Sequence, residues 1–385
     1  MDYAIAARPK LQGPRMTGAF TFGIEEEYFL VDAATKHIAF DVPPAFFEAA
    51  KAATEGRSST EFLQSQIEVT TSPHMNTADA RVELRHLRRT VAAVAAEHGL
   101  AILAAGTHPT AAWRNAQQTA KERYDNVMYD LQMIGQRDLL CGLHVHVQLP
   151  DPDERIDVMY RMLPYIPLFL ALSTSSPFWQ SRRTGLMGYR LAAYDELPRT
   201  GLPELFRTQR EYEAYVAALV QAGVMPDSSY VWWTIRPSLA NPTLELRAPD
   251  SCTLVEDSIA IAALYRALIR HLYRNRWRNC DLNAVQRAII VENKWQAQRF
   301  GVHATFAGED GAMTVADMLE RVIADIAEDA EEFGCVAELD RCRAIVGAGT
   351  SADAQLAVFD ASEAKGGRDE ALRAVSEWIA AATLQ

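Results

Sequence analysis

Three consecutive glutamates inside a strand-like run constrain this chain more than any other feature of its sequence. Residues 22–32 read Phe-Gly-Ile-Glu-Glu-Glu-Tyr-Phe-Leu-Val-Asp, a composition typical of a β-strand. Because side chains alternate between the faces of a strand, Glu25 and Glu27 share one face and Glu26 lies on the other, apolar face. The mutual repulsion of Glu25 and Glu27 is relieved either by a bound divalent cation or by solvent. This segment alone leaves both a metal site and a solvated acidic face open.

The overall composition is that of a soluble globular protein with one large domain or two ordinary ones. The chain has 385 residues, of which 49% are hydrophobic and 23% are charged. Its formal net charge of −12 argues against nucleic acid or an anionic membrane as a partner, although bound Mg²⁺ would still admit a polyanionic substrate. The cysteines are scattered without a CxxC pair, and we recognise neither a signal peptide nor a transmembrane run. We therefore expect a cytoplasmic protein.

The order of the predicted elements indicates an α+β fold. Strand-like and helical segments are mixed up to about residue 250, and one of them is an apolar helix at 156–172 that Pro164 and Pro167 should kink or split in two. From Val255 onward the pattern is helical, with a helix at 313–333 that is acidic on one face and a helix at 368–384 that closes the chain. We therefore expect residues 18–385 to form a single domain in which a helical C-terminal part covers a sheet. Residues 1–17 lack periodicity and are predicted to be a loose leader.

Further segments of strand composition also carry charged or polar side chains on one face. In the clearest, valine and leucine alternate with His144 and His146. The others place Glu68 within 61–71, Arg236 within 230–237, and Glu245 with Arg247 within 243–250. The short connection between the last two segments predicts an antiparallel hairpin.

If these strands are neighbours in one sheet, its polar face gathers at least four carboxylates, an imidazole and two guanidiniums. Carboxylates in this number with histidine suit two or more Mg²⁺ or Mn²⁺ ions, which prefer oxygen ligands. Arginines facing the same space suit phosphate oxygens and substrate carboxylates. Metals and arginines around a phosphate indicate phosphoryl transfer from a nucleotide, although the sequence contains no P-loop, no protein-kinase signature and no HExxH motif.

A loop that mixes arginine with glycine provides a further candidate for anion binding. It spans residues 182–190 and ends with Arg190. Glycine permits close approach of the backbone, and guanidinium groups bind anions through two parallel hydrogen bonds. An ordinary surface loop fits the same composition.

Six motifs in a fixed order resemble the YbdK-type carboxylate–amine ligases, also called type 2 glutamate–cysteine ligases. They are FGIEEE (22–27), CGLHVHV (141–147), SSP (175–177) with TG (184–185), WTIRPS (233–238), LELR (244–247) with Asp250, and ENKW (292–295). The resemblance extends from about Phe20 to about Phe306. Each motif is weak alone, and the ordered set is specific.

The resemblance implies a glutamine synthetase-like catalytic fold, in which a curved, mostly antiparallel sheet forms a funnel that binds ATP and Mg²⁺ or Mn²⁺. It also implies ATP-dependent amide formation. In that chemistry a substrate carboxylate attacks the γ-phosphate to give an acyl phosphate, and an amine then displaces phosphate. The nominal substrates are glutamate and cysteine, which makes small amino-acid-like molecules the expected partners. A homodimer is a further expectation of the resemblance.

The same resemblance assigns roles to individual residues. The implied metal ligands are Glu25, Glu27, Glu68, His144 and Glu245, with His146 and Glu61 as additional candidates. Arg247 would contact the transferred phosphate, while Arg190 and Arg236 would hold the substrate carboxylate or the ATP phosphates, and Glu25 and Glu27 would help to bind the nucleotide. The chain departs from the expected pattern at Arg183, where we expect an acidic residue, and this leaves the substrate pair open.

Two other hypotheses remain alongside the ligase. One is a phosphotransferase, because guanidino kinases share this sheet architecture. The other is a non-catalytic protein that binds nucleotide or metal. None of the three hypotheses assigns a role to Glu26. An arginine of one of the predicted helices is one candidate partner for its carboxylate.

Overall fold

The computed structural model of the protein describes residues 20–308 and 311–385, so the predicted leader at 1–17 lies outside the described residues. Its strands are β1 (Phe22–Asp32), β2 (Ser58–Thr60), β3 (Gln66–Thr70), β4 (Leu100–Leu103), β5 (Leu143–Gln148), β6 (Phe178–Trp179), β7 (Arg182–Arg183), β8 (Ile235–Pro237), β9 (Thr243–Leu246), β10 (Thr305–Gly308) and β11 (Gly311–Thr314). Its α-helices are α1 (Pro44–Ala53), α2 (Thr77–Glu97), α3 (Glu122–Leu131), α4 (Met133–Gln136), α5 (Arg155–Met162), α6 (Ile166–Ser173), α7 (Tyr189–Tyr194), α8 (Gln209–Gln221), α9 (Val255–Arg274), α10 (Ala284–Phe300), α11 (Val315–Asp325), α12 (Ala327–Phe333), α13 (Val336–Ala348) and α14 (Ser351–Thr383).

The glutamate-rich strand β1 is the centre of the main sheet. It pairs antiparallel with β3 along one edge and with β5 and β4 along the other. The strand order is β2-β3-β1-β5-β9-β8, with β4 joined to the C-terminal half of β1. All pairings in this sheet are antiparallel, and β8 and β9 form the predicted hairpin. The predicted α+β class and mostly antiparallel sheet are confirmed.

The strand register brings the polar side chains predicted from the sequence onto one face. Directly opposite residues of an antiparallel pair share a face of the sheet. The register places Glu27 opposite Glu68, Glu25 opposite His144, and Glu245 opposite both His146 and Arg236. The alternation along each strand therefore assigned these side chains to the correct common face.

Helices α2 and α9 pack against the other face of β1. Helix α2 is capped at its N-terminus by Asn76, whose side chain accepts a hydrogen bond from the backbone N–H of Asp79, and the chain turns away at Gly99 with a φ of 70°. Helix α9 is buried over most of its length, as its run of alanine, isoleucine and leucine requires. Glu26 lies on this face and pairs with Arg88 of α2.

The apolar segment with two prolines divides as predicted. Helices α5 and α6 are separated by a 3₁₀ turn at Leu163–Tyr165, because Pro164 and Pro167 cannot continue the hydrogen-bond pattern of a regular helix. Among the described residues, Pro152–Ser173 is long and apolar enough to cross a membrane by length and composition, and 83% of its most apolar window is buried inside the fold. That burial is the pattern of a core helix.

Two predicted strands are shorter than expected, for an identifiable reason. In the predicted strand 230–237 only Ile235–Pro237 joins the sheet, because the N–H groups of Trp232 and Thr234 donate to carbonyls of the 199–201 loop. In the predicted strand 61–71 only Gln66–Thr70 pairs with β1, because residues 62–64 hydrogen-bond with the 117–119 segment. At both places the backbone forms hydrogen bonds with a loop segment instead of with a neighbouring strand.

The predicted acidic helix over 313–333 also needs correction. Its first residues belong to the hairpin of β10 and β11, and the remainder is divided into α11 and α12. The predicted closing helix 368–384 is the second half of the longer α14, which has a kink at Gly367 with a φ of 79°. Thr383 at its end is buried against the core.

Candidate active site

A cavity of 310 Å³ opens on the polar face of the main sheet. Its acidic and imidazole groups are Glu25, Glu27, Glu61, Glu68, Asp138 and His144. Its arginines are Arg123, Arg190, Arg236 and Arg247. Its apolar and aromatic lining includes Phe62, Tyr124, Val127, Leu131, Leu140, Tyr194, Leu197 and Trp232. Every predicted site residue lines this cavity except Glu245 and the additional candidate His146. Glu245 lies beside the cavity and pairs with Arg236 and Arg247.

Three groups of side chains along the cavity could each hold a metal ion. They are Glu25 with His146 and Glu245, Glu25 with Glu68 and His144, and Glu27 with Glu61 and Glu68. The ligand atoms within each group lie within 4.8 Å of one another. The groups share Glu25 and Glu68, so the cations would form a row along the sheet. Carboxylate oxygens dominate every group, which suits Mg²⁺ or Mn²⁺.

The two histidines are oriented toward the glutamates of β1. His146 has Nδ1 2.9 Å from Thr243 Oγ1 and Nε2 3.4 Å from Glu25 Oε1. His144 has Nδ1 3.4 Å from Glu25 Oε2. The Nε2 atoms of both rings are buried without a hydrogen-bond partner among the described residues. A ring fixed through one nitrogen with the other left free is the usual arrangement of a histidine metal ligand, so His146 fits this role as well as His144.

The carboxylates of the cavity divide into two electrostatic classes. Burial raises the pKa of Glu25, but the hydrogen bond with His144 and the close contact with His146 outweigh burial and hold that pKa well below its usual range. Burial and the neighbouring carboxylates raise the pKa of Glu61 to about 8 and bring that of Glu68 well above its ordinary value. Burial, together with the charge of Glu27, raises the pKa of Asp138 to about 7. The β2–β3 side of the cavity therefore carries carboxylates whose ionised forms require cations.

The β8–β9 side of the cavity is built around one buried carboxylate between two arginines. Glu245 is 2% exposed and accepts from Arg236 Nε at 2.8 Å and from Arg247 Nη1. Burial disfavours its ionised form, but the charges of both arginines outweigh burial and lower the pKa of Glu245 well below its ordinary value. Arg236 also donates to the carbonyls of Ser229 and Val231, which fixes its guanidinium at the rim.

Arg190 is held in the cavity by main-chain and side-chain contacts. Its Nη1 donates to the carbonyl of Pro249 at 3.1 Å, and its backbone N–H donates to Ser176 Oγ at 2.9 Å. Ser176 Oγ in turn donates to Asp250 Oδ2 at 2.6 Å. A Cβ added at Gly142 would lie 2.2 Å from Arg190 Nη2, so the glycine there makes room for the guanidinium. The Arg190 side of the arginine–glycine loop thus belongs to the cavity, whereas Arg183 is exposed and pairs with Asp360.

Several cavity residues carried no signal in the sequence. Asp138 and the α3 residues Arg123 and Tyr124 lie in a segment whose only pattern was helical, and nothing in that pattern points toward a site. In the sequence, the only indication for Trp232 is that it lies on the same face of the predicted strand as Arg236. Glu61 was a candidate ligand, and the structure places it with Glu27 and Glu68.

Sequence comparison with known proteins identifies the family to which this chain is related. Residues 21–377 match the sequence profile of glutamate-cysteine ligase family 2. A protein of Bradyrhizobium sp. (strain ORS 278), provisionally named glutamate–cysteine ligase 2, is 59% identical over 365 residues, which cover 95% of this chain and 88% of that protein.

Two solved structures share the fold. A bifunctional glutathione synthetase from Pasteurella multocida has a TM-score of 0.69 at 16% identity, covering 94% of this chain and 52% of that chain. A glutamate–cysteine ligase from Francisella tularensis, in complex with AMP, has a TM-score of 0.68 at 13% identity, covering 95% of this chain and 89% of that chain. At these identities the likeness shows the fold alone, and the expected ligase fold is confirmed.

Proposed function

The chain belongs to glutamate-cysteine ligase family 2 and is a carboxylate–amine ligase, and we propose that it forms an amide bond with ATP and Mg²⁺ or Mn²⁺ through an acyl phosphate. Glutamate and cysteine are the nominal acid and amine. The observation that carries the proposal is one cavity that contains three overlapping groups of metal-ligand atoms together with Arg190, Arg236 and Arg247. The AMP bound to the Francisella protein of the same fold supports a nucleotide as co-substrate.

The proposed reaction needs activation because a carboxylate is a poor electrophile. One oxygen of the substrate carboxylate bonds to the γ-phosphorus while the bond from that phosphorus to the bridging oxygen of ADP breaks. The amine nitrogen then bonds to the acyl carbon, the carbon–oxygen bond to phosphate breaks with its electron pair, and the nitrogen loses a proton. The products are an amide, ADP and phosphate.

The residues of the cavity suit this sequence of steps. A bound divalent cation would neutralise charge on the phosphates, and the three ligand groups on β1, β3, β5, β9 and the β2–β3 connection would hold it. Arg247 and Arg236 would stabilise the negative charge of the transferred phosphoryl group from the β8–β9 side. Arg190 would orient the phosphate or the substrate carboxylate, because its own position is fixed by Pro249 and Ser176.

The test is an ADP-release assay with Mg-ATP, glutamate and a panel of amines, followed by mass spectrometry of the product. The Glu27→Gln variant provides the inactive reference, and the exposed Glu97→Gln variant provides a matched control that should keep full activity. Amide and ADP in equal amounts support the proposal. ADP release that never exceeds the Glu27→Gln level contradicts it, and a stable phosphorylated product without amide would indicate a phosphotransferase instead.

We also propose a cytoplasmic location and a homodimeric state. The acidic composition and the scattered cysteines support the first. The second rests on family resemblance alone. Sedimentation equilibrium of the purified protein tests the dimer, and a mass equal to one chain at micromolar concentration contradicts it.

A further inference from the structure

The ENKW motif at 292–295 lies within α10, and among the described residues none of its members lines the cavity. Glu292 and Trp295 are exposed, whereas Asn293 and Lys294 are only 9% and 7% exposed. Asparagine and lysine are rarely buried to this degree without a specific partner. The contacts of these two side chains therefore indicate what the motif does.

Asn293 joins α10 to the short strand β10. Its Nδ2 donates to the carbonyl of Ala307 at 2.9 Å, and its Oδ1 accepts from the backbone N–H of Ala307 at 2.7 Å. The side-chain amide thus satisfies both backbone groups of one strand residue, as a neighbouring strand would. These two hydrogen bonds fix the position of α10 relative to β10.

Lys294 joins α10 to the short helix α7. Its ammonium group donates to the carboxylate of Asp195, which directly follows the last residue of α7. One turn further along α10, the carbonyl of Gln298 accepts the backbone N–H groups of Met187 at 2.8 Å and Gly188 at 3.0 Å, just before α7 begins. Helix α10 therefore holds both ends of α7, through an ion pair at one end and main-chain hydrogen bonds at the other.

Helix α7 carries two of the residues that line the cavity. Arg190 is 3% exposed, and its guanidinium carbon lies 5.7 Å from the ring centroid of Tyr194. The hydroxyl of Tyr194 accepts a hydrogen bond from Arg247 Nη2 at 3.4 Å. A helix of six residues is too short to be stable on its own, so the contacts at its ends determine where these groups lie.

We propose that the ion pair of Lys294 with Asp195 positions α7 against the cavity. Lys294 is then a positioning residue for Arg190 and Tyr194. A buried ammonium group is costly without its countercharge, so the ion pair keeps Asp195 at one place against α10. That place sets the distance from the two α7 side chains to Arg247. The kinetic part of this inference rests on the proposed ligase function.

The kinetic test uses Asp195→Asn with saturating substrates and Mg-ATP. The Asp195 side chain is 33% exposed, and a carboxylate at the C-terminal end of a helix opposes the helix dipole, so the amide does not weaken α7 itself. Asp195→Asn should lower kcat at least about 10-fold, because misplacement of a reacting group by about 1 Å costs about 100-fold. Asp195→Glu keeps the charge and should retain most of the wild-type kcat. A wild-type kcat in Asp195→Asn contradicts the positioning role.

Arg287→Gln is the matched control. Arg287 lies on the same helix and pairs at 3.1 Å with Glu204, in the loop that follows α7, and its side chain is 29% exposed. The substitution removes an ion pair of α10 that does not involve the end of α7, so kcat should stay at the wild-type value. A kcat as low as that of Asp195→Asn would mean that loss of any ion pair of α10 impairs activity, and would overturn the assignment to Lys294.

The double variant Lys294→Met/Asp195→Asn separates positioning from stability. Asp195→Asn alone leaves the buried ammonium group without its countercharge and should unfold at a lower urea concentration than the wild type. The double variant should recover most of this loss, because no unpaired charge remains. Its kcat should nevertheless stay as low as that of Asp195→Asn, since the C-terminal end of α7 is no longer joined to α10. Recovery of kcat together with stability would show that the ion pair acts only through stability, and the inference would be wrong.

Chemical labelling of Arg190 tests the same inference without turnover. Phenylglyoxal modifies accessible guanidinium groups, and mass spectrometry identifies the labelled peptide. Arg190 is almost fully buried in the wild-type protein, and it should react several-fold faster in Asp195→Asn and in the double variant, but at the wild-type rate in Arg287→Gln. Faster labelling without ADP release from any substrate pair would contradict the ligase function and leave the positioning role intact. An unchanged labelling rate in Asp195→Asn overturns the inference.

Discussion

Arg88 of α2 donates to both carboxylate oxygens of Glu26, from Nε to Oε2 at 2.7 Å and from Nη2 to Oε1 at 2.8 Å. Both side chains are at most 1% exposed. Tyr28 and Ser258 also donate to Glu26, and the remaining donors of Arg88 reach main-chain carbonyls, including that of Thr383 at the end of α14. This ion pair therefore ties the central strand to α2, α9 and the C-terminal helix, behind the cavity.

Removal of Arg88 should destabilise the protein strongly without altering the cavity. Arg88→Met leaves the Glu26 carboxylate buried without its countercharge, and loss of one partner of a buried pair costs about 3–5 kcal/mol. Urea unfolding at neutral pH measures the loss. The double variant Glu26→Gln/Arg88→Met should recover part of it, because no unpaired charge remains.

The exposed pair of Arg373 with Glu370 provides the control for this prediction. Arg373→Met removes two solvated ion pairs at the protein surface, with Glu370 and with Glu377, and should leave the free energy of unfolding close to the wild-type value. If Arg88→Met costs no more than Arg373→Met, the pair with Glu26 does not support the fold.

Alternation along the strands was sufficient to predict which face each site residue occupies. Glu25, Glu27, Glu68 and His144 meet on one face because a two-residue period and an antiparallel register follow from backbone geometry. Alternation also placed Glu26 on the opposite face. Its partner could not be identified, because the sequence does not show which arginine of a long helix faces the sheet.

The parts that the sequence did not predict depend on contacts between distant segments. Trp232 leaves the strand because its N–H finds the carbonyl of Arg199, a contact that has no signature in either segment. Asp138 and Arg123 reach the cavity through the packing of α3 across it, and helical periodicity says nothing about what a helix covers. The candidate metal-ligand side chains can be recognised from local sequence patterns. The other walls of the cavity form only through tertiary contacts, which local patterns do not show.

The two glutamates predicted to bind the metal should differ in their contribution to stability. Glu245→Ala leaves Arg236 and Arg247 without their shared carboxylate and should lower the unfolding free energy by about 3–5 kcal/mol. Glu25→Gln removes a carboxylate that contacts His144 and His146 but pairs with no guanidinium among the described residues, and it should change the unfolding free energy by less than about 2 kcal/mol. Both should abolish ADP release. Equal stability of the two variants would show that the arginine pair does not depend on Glu245.

Gly142→Ala should impair activity while the fold is retained. Its φ is not positive, and the added Cβ would meet the guanidinium of Arg190 at 2.2 Å and the Nε2 of His144 at 3.0 Å. The flexible end of Arg190 can move away at little cost to stability, but misplacement by about 1 Å lowers kcat/KM by about 100-fold. Steady-state kinetics and thermal unfolding measure the two effects.

Gly347 in α13 is the matched control, because no atom lies within 4 Å of a Cβ added there. Gly347→Ala should keep full activity and raise stability by up to about 1 kcal/mol through helix propensity. Unchanged kinetics in Gly142→Ala would mean that Arg190 has no part in the reaction.

The metal-free protein should lose stability as the pH rises from about 4.5 to about 8. Glu61 has its pKa raised from 4.5 to about 8 in the folded protein, mainly by burial and then by the charge of Glu27. The folded state therefore binds a proton that the unfolded chain has released, so the stabilisation present below pH 4.5 disappears through this window. The free energy of unfolding falls by at most about 1.4 kcal/mol per pH unit for each such group. Asp138, whose pKa is raised to about 7, adds to this decline in the lower part of the window.

Urea unfolding between pH 4.5 and 8.5, with and without excess Mg²⁺, tests this dependence. Glu61→Gln should flatten the decline, because its neutral amide stays uncharged at every pH, whereas the exposed control Glu48→Gln should keep the wild-type slope. Mg²⁺ should reduce the decline in the wild-type protein, since a cation bound by Glu27, Glu61 and Glu68 favours their ionised forms. Stability that rises with pH in the metal-free protein, or a slope that Glu61→Gln leaves unchanged, would contradict a cluster of carboxylates that depends on cations.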